Sequence, residues 1–234
     1  MLRQVFVRLI PVVAICLTLL YAATTRAQTT NFRRALKDSE IAVVFHPNSA
    51  TAYYNRAVLR QIAGELDKAL ADYNKAIEIK PRYASAYSNR AGVYYAQGKV
   101  DEALADCNRA IEIDSRHAGA YTNRGVLRSA KGDIDGALAD HQKALKLNPH
   151  LATAYFNRGV LFLNQRELKL ALSDFDRTIE YAPSLAMAYF KRGITYLLLG
   201  REVEAERDFA RCLELDRSLQ ASLETAVIAA RNQR

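Results

Sequence analysis

Tryptophan is missing from this 234-residue chain, and glycine, proline, methionine and cysteine are scarce, at 10, 5, 2 and 3 residues. So little glycine and proline argues against a loop-rich or all-β architecture and for helices. Three cysteines make no disulfide framework. Cys107 and Cys212 fall on apolar positions and read as small buried hydrophobes. The four histidines stand apart in sequence. His46, His117 and His150 lie in turns and His141 lies at a packing position, so no pair has metal-ligand spacing. There is no phosphate-binding glycine loop and no hydrolase serine motif. The sequence therefore predicts no enzyme, no metal, no cofactor and no small-molecule substrate. A basic run is also lacking, which excludes a nucleic-acid footprint despite a formal charge of +8.

The first residues differ from the rest. Arg3 and Arg8 precede an apolar run from Leu9 to Ala23, and Thr25 and Ala27 put small residues at the −3 and −1 positions before Gln28. This is the form of a secretory signal over residues 1–27, which places the mature protein in the periplasm or outside the cell. The run is roughly 15 residues, short of the ~20 a spanning helix needs, so contact with a membrane would come only from a leader left uncleaved. Loss of Arg3, Arg8 and Arg26 lowers the charge from +8 to +5.

What the chain has in abundance is self-similarity, which outranks other signals. Tyr53, Tyr87, Tyr121, Tyr155 and Tyr189 are spaced by 34 residues. So are Arg56, Arg90, Arg124, Arg158 and Arg192, and so are Asp72, Asp106, Asp140, Asp174 and Asp208. Five repeats run 50–83, 84–117, 118–151, 152–185 and 186–219. In the first, apolar and small residues at three- and four-residue steps predict one helix from about Ala50 to Ala63 and another from about Leu66 to Ile79. Gly64 separates them, as Gly98, Gly132 and Gly200 do later, and Pro81, Pro149 and Pro183 end second helices. Residues 28–49 and 220–234 read as helical caps, since a terminal repeat otherwise leaves an apolar face in water. An unbroken array with no second domain is expected.

The pattern resembles the tetratricopeptide repeat (TPR) family. The resemblance rests on Tyr53, Ala57, Gly64, Ala69, Tyr73, Ala76, Pro81 and their equivalents over residues 50–219. It departs where Arg60 and Arg128 replace a usual tyrosine, where Arg166 replaces a linker glycine, and where Cys107 and His141 replace aromatics. The resemblance implies an all-α, right-handed superhelical solenoid of five helix-turn-helix repeats. It also implies a non-catalytic module that binds another protein or peptide, acting as scaffold or adaptor in the cell envelope. A structural subunit that forms homo-oligomers through repeats and caps is the alternative.

Two features bear on a binding site. Each repeat carries one arginine and one aspartate 16 residues apart, which suggests ion pairs that fix helix register. Asn55, Asn89, Asn123 and Asn157 recur beside those arginines, although asparagine is a poor helix-interior residue. In the family, the first helices build the inner face, and asparagines there hold a ligand's main chain; the bland alternative is a bond between adjacent helices. Tyr54, Phe156, Val160, Leu163, Met187, Phe190, Ile194 and Leu197 share that face by helical spacing. The face turns from hydroxyl-bearing to apolar along the chain, so side-chain anchors are expected near Phe156 and Phe190; the alternative is that the last helix, 218–231, folds back over this apolar end, or that a second copy covers it. The family's clamp for C-terminal carboxylates is not expected, because Tyr54, Val58, Gly119 and Asn123 occupy its cationic places and only Asn89 fits.

Overall fold

The computed structural model describes residues 26–232, and side chains from residue 31. The predicted signal peptide lies almost wholly outside them. The described residues form twelve α-helices and one short 3₁₀ turn, with no strand among them. Helix α1 spans Arg26–Phe45. Five hairpins follow: α2 (Ala50–Ile62) with α3 (Leu66–Ile79), α4 (Ala84–Ala96) with α5 (Val100–Ile113), α6 (Ala118–Ala130) with α7 (Ile134–Leu147), α8 (Ala152–Asn164) with α9 (Leu168–Tyr181), and α10 (Ala186–Leu198) with α11 (Glu202–Leu215). Helix α12 (Gln220–Arg231) comes last. No described helix is long and apolar enough to cross a membrane.

The chain divides into two compact units, up to Asp140 and from His141 onward, with the boundary inside α7. The repeat pattern alone predicts no such division. Within each unit, successive hairpins pack on one another along the chain.

In the first unit, α2 lies along α3 and α4 along α5, and each second helix also meets the next first helix. Close approach depends on small residues. Ala57, Ala69 and Ala76 are wholly buried together with Tyr73, Ala86 and Val93. Ala91, Ala103, Cys107 and Leu127 repeat the arrangement one hairpin on. In the second unit Phe156 stacks against Phe175 with ring centroids 5.9 Å apart. Gly159 makes room for that ring, since a Cβ there would lie 2.9 Å from Phe175. The Cys107 and Cys212 thiols are both buried and free, and burial pushes them up to about 12 and about 11.

Each turn within a hairpin is closed by the same pair of features. One residue of the turn has positive φ, and the N–H of the residue after it bonds back to a carbonyl near the end of the first helix, as Glu65 N does to Arg60 O at 2.9 Å. Four of these positive-φ residues are glycines with φ between 77° and 87°. The fifth is Arg166, at φ 65°, with Glu167 N on Phe162 O at 2.9 Å. A side chain in this left-handed region costs roughly 1–2 kcal/mol, and glycine gives back about half of that through its freer unfolded chain. Arg166→Gly is therefore expected to raise stability by about 0.5–1 kcal/mol, read as a higher denaturant midpoint at constant m-value.

Candidate functional site: the face of first helices

The repeated arginines are fixed from three sides. Each stacks on the tyrosine three residues before it, at 5.3–5.7 Å from the ring centroid. Each also forms a two-pronged bond to the aspartate of its own second helix: Arg56–Asp72, Arg90–Asp106, Arg124–Asp140, Arg158–Asp174 and Arg192–Asp208, all at 2.6–2.9 Å. Three of them reach the preceding second helix as well, Arg90 to Asn74, Arg124 to Asn108 and Arg192 to Asp176. The bonds to Asp208 and Asp176 push the Arg192 guanidinium further above its usual range, with burial opposing.

The departures from the family pattern act here. Arg60 and Arg128 add a second arginine on Asp72 and Asp140, at 2.8 and 2.9 Å. Where the sequence keeps an aromatic at that place, Tyr94, Phe162 and Tyr196 lie under Arg90, Arg158 and Arg192 instead. At Asp174 burial outweighs the single Arg158 and raises the carboxyl above its ordinary value.

The asparagine ladder has a different geometry from the one expected. Asn89 Nδ2 donates to Tyr54 Oη at 3.0 Å. Asn123 Nδ2 donates to the Ser88 carbonyl at 3.0 Å and to Ser88 Oγ at 3.2 Å. Both amides thus tie one first helix to the preceding one. The hydrogen bonds of these two side chains are donated through Nδ2, which leaves the carbonyl oxygens for another partner. Asn157 Nδ2 is buried without a hydrogen-bond partner, and Asn55 is exposed. A signal for the inter-helix bonds was present: a hydroxyl-bearing residue, Tyr54 or Ser88, stands 35 residues before each engaged asparagine.

The apolar end of the face is not open. Phe156 and Phe190 are 1% and 6% exposed, and Val160 and Leu197 are also buried. They cannot serve as the ligand anchors that helical spacing suggested. Phe156 is taken up by Phe175. Phe190 and half-buried Met187 pack with Leu223, Ala226 and Val227 of α12, while Ile194 and Leu197 pack with Val227 and Ala230. Helix α12 packs chiefly on α10 because it leaves the repeat register. Leu223 and Val227 stand where the fifth repeat has Tyr189 and Gly193. Leu163 remains half-buried. Lys191, which replaces the fifth asparagine, has its ammonium 5.3 Å from the Phe190 centroid, and burial lowers its pKa.

Two hydroxyl-bearing residues of the first helices, Ser88 and Thr122, are buried; Thr122 Oγ1 donates to the Ala118 carbonyl at 3.2 Å. Of the histidines, His117 Nδ1 accepts from Ala120 N and caps α6, and its Nε2 lies 3.2 Å from Ser85 Oγ. His150 stacks edge-on against Tyr181 at 5.0 Å. His141 is buried with Nδ1 unpartnered. Among the described residues no group of His, Cys, Asp and Glu is placed to hold a metal ion.

Comparison with known proteins agrees with this geometry. Family models described as TPR repeat match residues 62–98 and 127–165. Models described as tetratricopeptide repeat match residues 84–117 and 161–219. The chain belongs to the tetratricopeptide repeat family, whose fold is an all-α helical solenoid that typically serves as a non-catalytic interaction module. Comparison with curated proteins returned no match. Among solved structures, the chain is similar to YrrB, described as a TPR protein with an unusual peptide-binding site. That match has 25% identity and a TM-score of 0.55, and covers 85% of this chain and 100% of YrrB. It is also similar to pilF of Pseudomonas aeruginosa, at 21% identity and a TM-score of 0.65, over 92% of this chain and 99% of that one. A thermophilic TPR protein of Thermus thermophilus matches at 21% identity and a TM-score of 0.66, over 78% of this chain and 98% of that one.

Proposed function

We propose that this protein is a non-catalytic scaffold or adaptor of the cell envelope that holds an extended segment of another polypeptide along the first helices of its hairpins. The observation that carries the reading is the fixed asparagine amide. Asn89 and Asn123 are oriented through Nδ2 by Tyr54 and Ser88, and each keeps a carbonyl oxygen to accept a ligand's peptide N–H. Exposed Asn55 and Thr51, with half-buried Ser85 and Ser129, extend the same polar face in the first unit. Recognition there is by main chain rather than by large apolar side chains, since Phe156 and Phe190 belong to the core. Similarity to a peptide-binding TPR protein supports the reading. The envelope assignment rests on the leader residues Arg3, Arg8, Leu9–Ala23, Thr25 and Ala27.

The test begins with affinity capture of a partner from envelope extract, followed by titration of that partner. A neutral hydrogen bond contributes about 0.5–1.5 kcal/mol net, so Asn55→Ala should weaken binding roughly 3- to 10-fold. Its helical melt should not move, because Asn55 is exposed. Asn55→Ala combined with Asn89→Ala should weaken binding further. Unchanged affinity in the double variant removes the ladder as the binding element.

A further inference from the structure

A second surface, separate from the one above, lies on α1. Register identifies what α1 is. One period upstream of α3, Ala35, Asp38, Glu40 and Ala42 occupy the places of Ala69, Asp72, Asn74 and Ala76. The structure respects that register. Helix α1 packs on α2 as α3 packs on α4, and Glu40 stands where Asn74, Asn108 and Asp176 take Arg90, Arg124 and Arg192; it acts electrostatically on their equivalent, Arg56, and lies 3.9 Å from Arg60 one turn further on. Ser39 and Val43 are buried. Helix α1 is thus the second helix of a hairpin whose first helix is not supplied by any described residue.

The opposite side of α1 is therefore open, and its residues are those that a first helix normally covers. Ala69, Ala103, Ala137, Ala171 and Ala205 are wholly buried; Ala35 is exposed. The five repeat aspartates are buried under arginine, whereas the Asp38 side chain is 66% exposed and has only Arg34, at 4.0 Å. The adjoining outer surface differs in kind. Four repeats carry an ion pair there, Lys75–Glu78, Arg109–Glu112, Arg177–Glu180 and Arg211–Glu214. Helix α1 has Ile41 and Val44 in those places, 45% and 75% exposed, and beside them Phe45 at 74%. Asp38, Ile41, Ala42 and Phe45 follow at i, i+3, i+4 and i+7, which makes one continuous stripe. Apolar residues in place of charged pairs on a solvent-facing stripe mark a surface that is covered in use.

The five hairpins show what fits such a stripe. Each covering helix carries Tyr-x-x-Arg followed by Ala or Gly: the arginine takes the aspartate, and the small residue lets the backbones approach. Among the described residues no hairpin turn precedes α1, which is helical through positions 29–31, where every hairpin has its turn. A second copy does not fit. Its first helices are already engaged, and α12 has Ala226 where the arginine belongs. We propose that α1 is a docking site for a single amphipathic helix of another protein, bearing an arginine directly followed by Ala or Gly. Asp38 receives the arginine, Ala35 and Ala42 admit close approach, and the partner's apolar side chains cover Phe45 and reach out over Ile41 and Val44, further than the hairpins' own first helices reach.

A fluorescently labelled peptide of residues 49–63, which carries Arg56 and Ala57, is a direct probe for titration with the full chain. Saturable binding read by anisotropy is expected. Asp38→Arg should weaken it at least ten-fold, and a peptide with Arg56→Asp should recover binding to that variant. Phe45→Lys should weaken it as well. Asn55→Ala in the protein should leave it unchanged, which separates this site from the asparagine face. Both substituted α1 positions are exposed, and an unchanged helical melt checks that the fold is kept. No binding at millimolar protein, or binding indifferent to Asp38→Arg, would overturn the proposal. So would a full-chain dimer in sedimentation that Phe45→Lys dissociates, since the face would then belong to a second copy.

Discussion

Asp72→Ala is expected to lower the unfolding free energy by about 3–5 kcal/mol, the usual cost of leaving buried charge uncompensated. Asp72 accepts from both Arg56 and Arg60, whose side chains are each only 15% exposed. Removing one carboxylate strands two guanidinium groups at the packing surface between α2 and α3. Asp140→Ala should behave alike, because Arg124 and Arg128 converge on it. Asp174→Ala should cost less. Only Arg158 depends on it, and burial already raises that carboxyl against its partner. Arg124→Ala should be milder still, since Arg128 remains on Asp140. Denaturant midpoints of the four variants give the ranking, and equal losses at Asp72 and Asp174 would contradict it.

The second large effect is an acid sensitivity centred on His141. Its ring is buried, Nδ1 has no partner, and burial together with Arg158 lowers its pKa to about 3. The folded chain therefore holds a neutral imidazole, while the unfolded chain protonates it near the ordinary value of about 6.5. Above pH 6.5 the group contributes no pH dependence. Between 6.5 and 3 the unfolded state binds the extra proton, so stability falls as pH falls, by roughly 1.4 kcal/mol per pH unit. The loss is complete below about pH 3 and amounts to about 3 kcal/mol at pH 4.5. His141→Phe, which places at this register the residue found at Phe175 and Phe209, should remove this part of the acid loss. Comparing unfolding free energies at pH 7 and 4.5 in both proteins isolates it. Parallel pH dependence in the two would show that His141 is not responsible.

The hairpins were legible in the sequence because their causes are periodic. A glycine that stops a helix, an alanine that admits a neighbour and a charge pair that sets register each recur at 34-residue steps. What one helix does to another outside that period was not legible. Helical spacing put Phe190 on the face of first helices and left open whether the last helix covers it; the structure places Leu223 and Val227 over it. That cover comes from a helix with its own register, which the repeat cannot predict. The asparagines were read first as a row facing a ligand, with bonds between adjacent helices as the alternative; Asn89 and Asn123 use their N–H groups between helices, whereas Asn55 and Asn157 do not. The period says that four residues are equivalent; it does not say which neighbouring acceptor lies one step off register. The outer pairs such as Lys75–Glu78 were visible as charges three apart, and their replacement by Ile41 and Val44 gained meaning only once α1 was seen packed as a second helix.

The arginine–aspartate pairs also set a timetable. Each joins residues only 16 apart in the chain, and the asparagine bonds join residues 35 apart. Asp72 follows Arg56 so closely that the pair can close as soon as this short stretch emerges, whether from the ribosome or across a membrane. No hairpin waits for a distant segment before it can close. Contacts this local favour fast, stepwise folding in the order of synthesis, with little time for an unpaired apolar face to meet another chain.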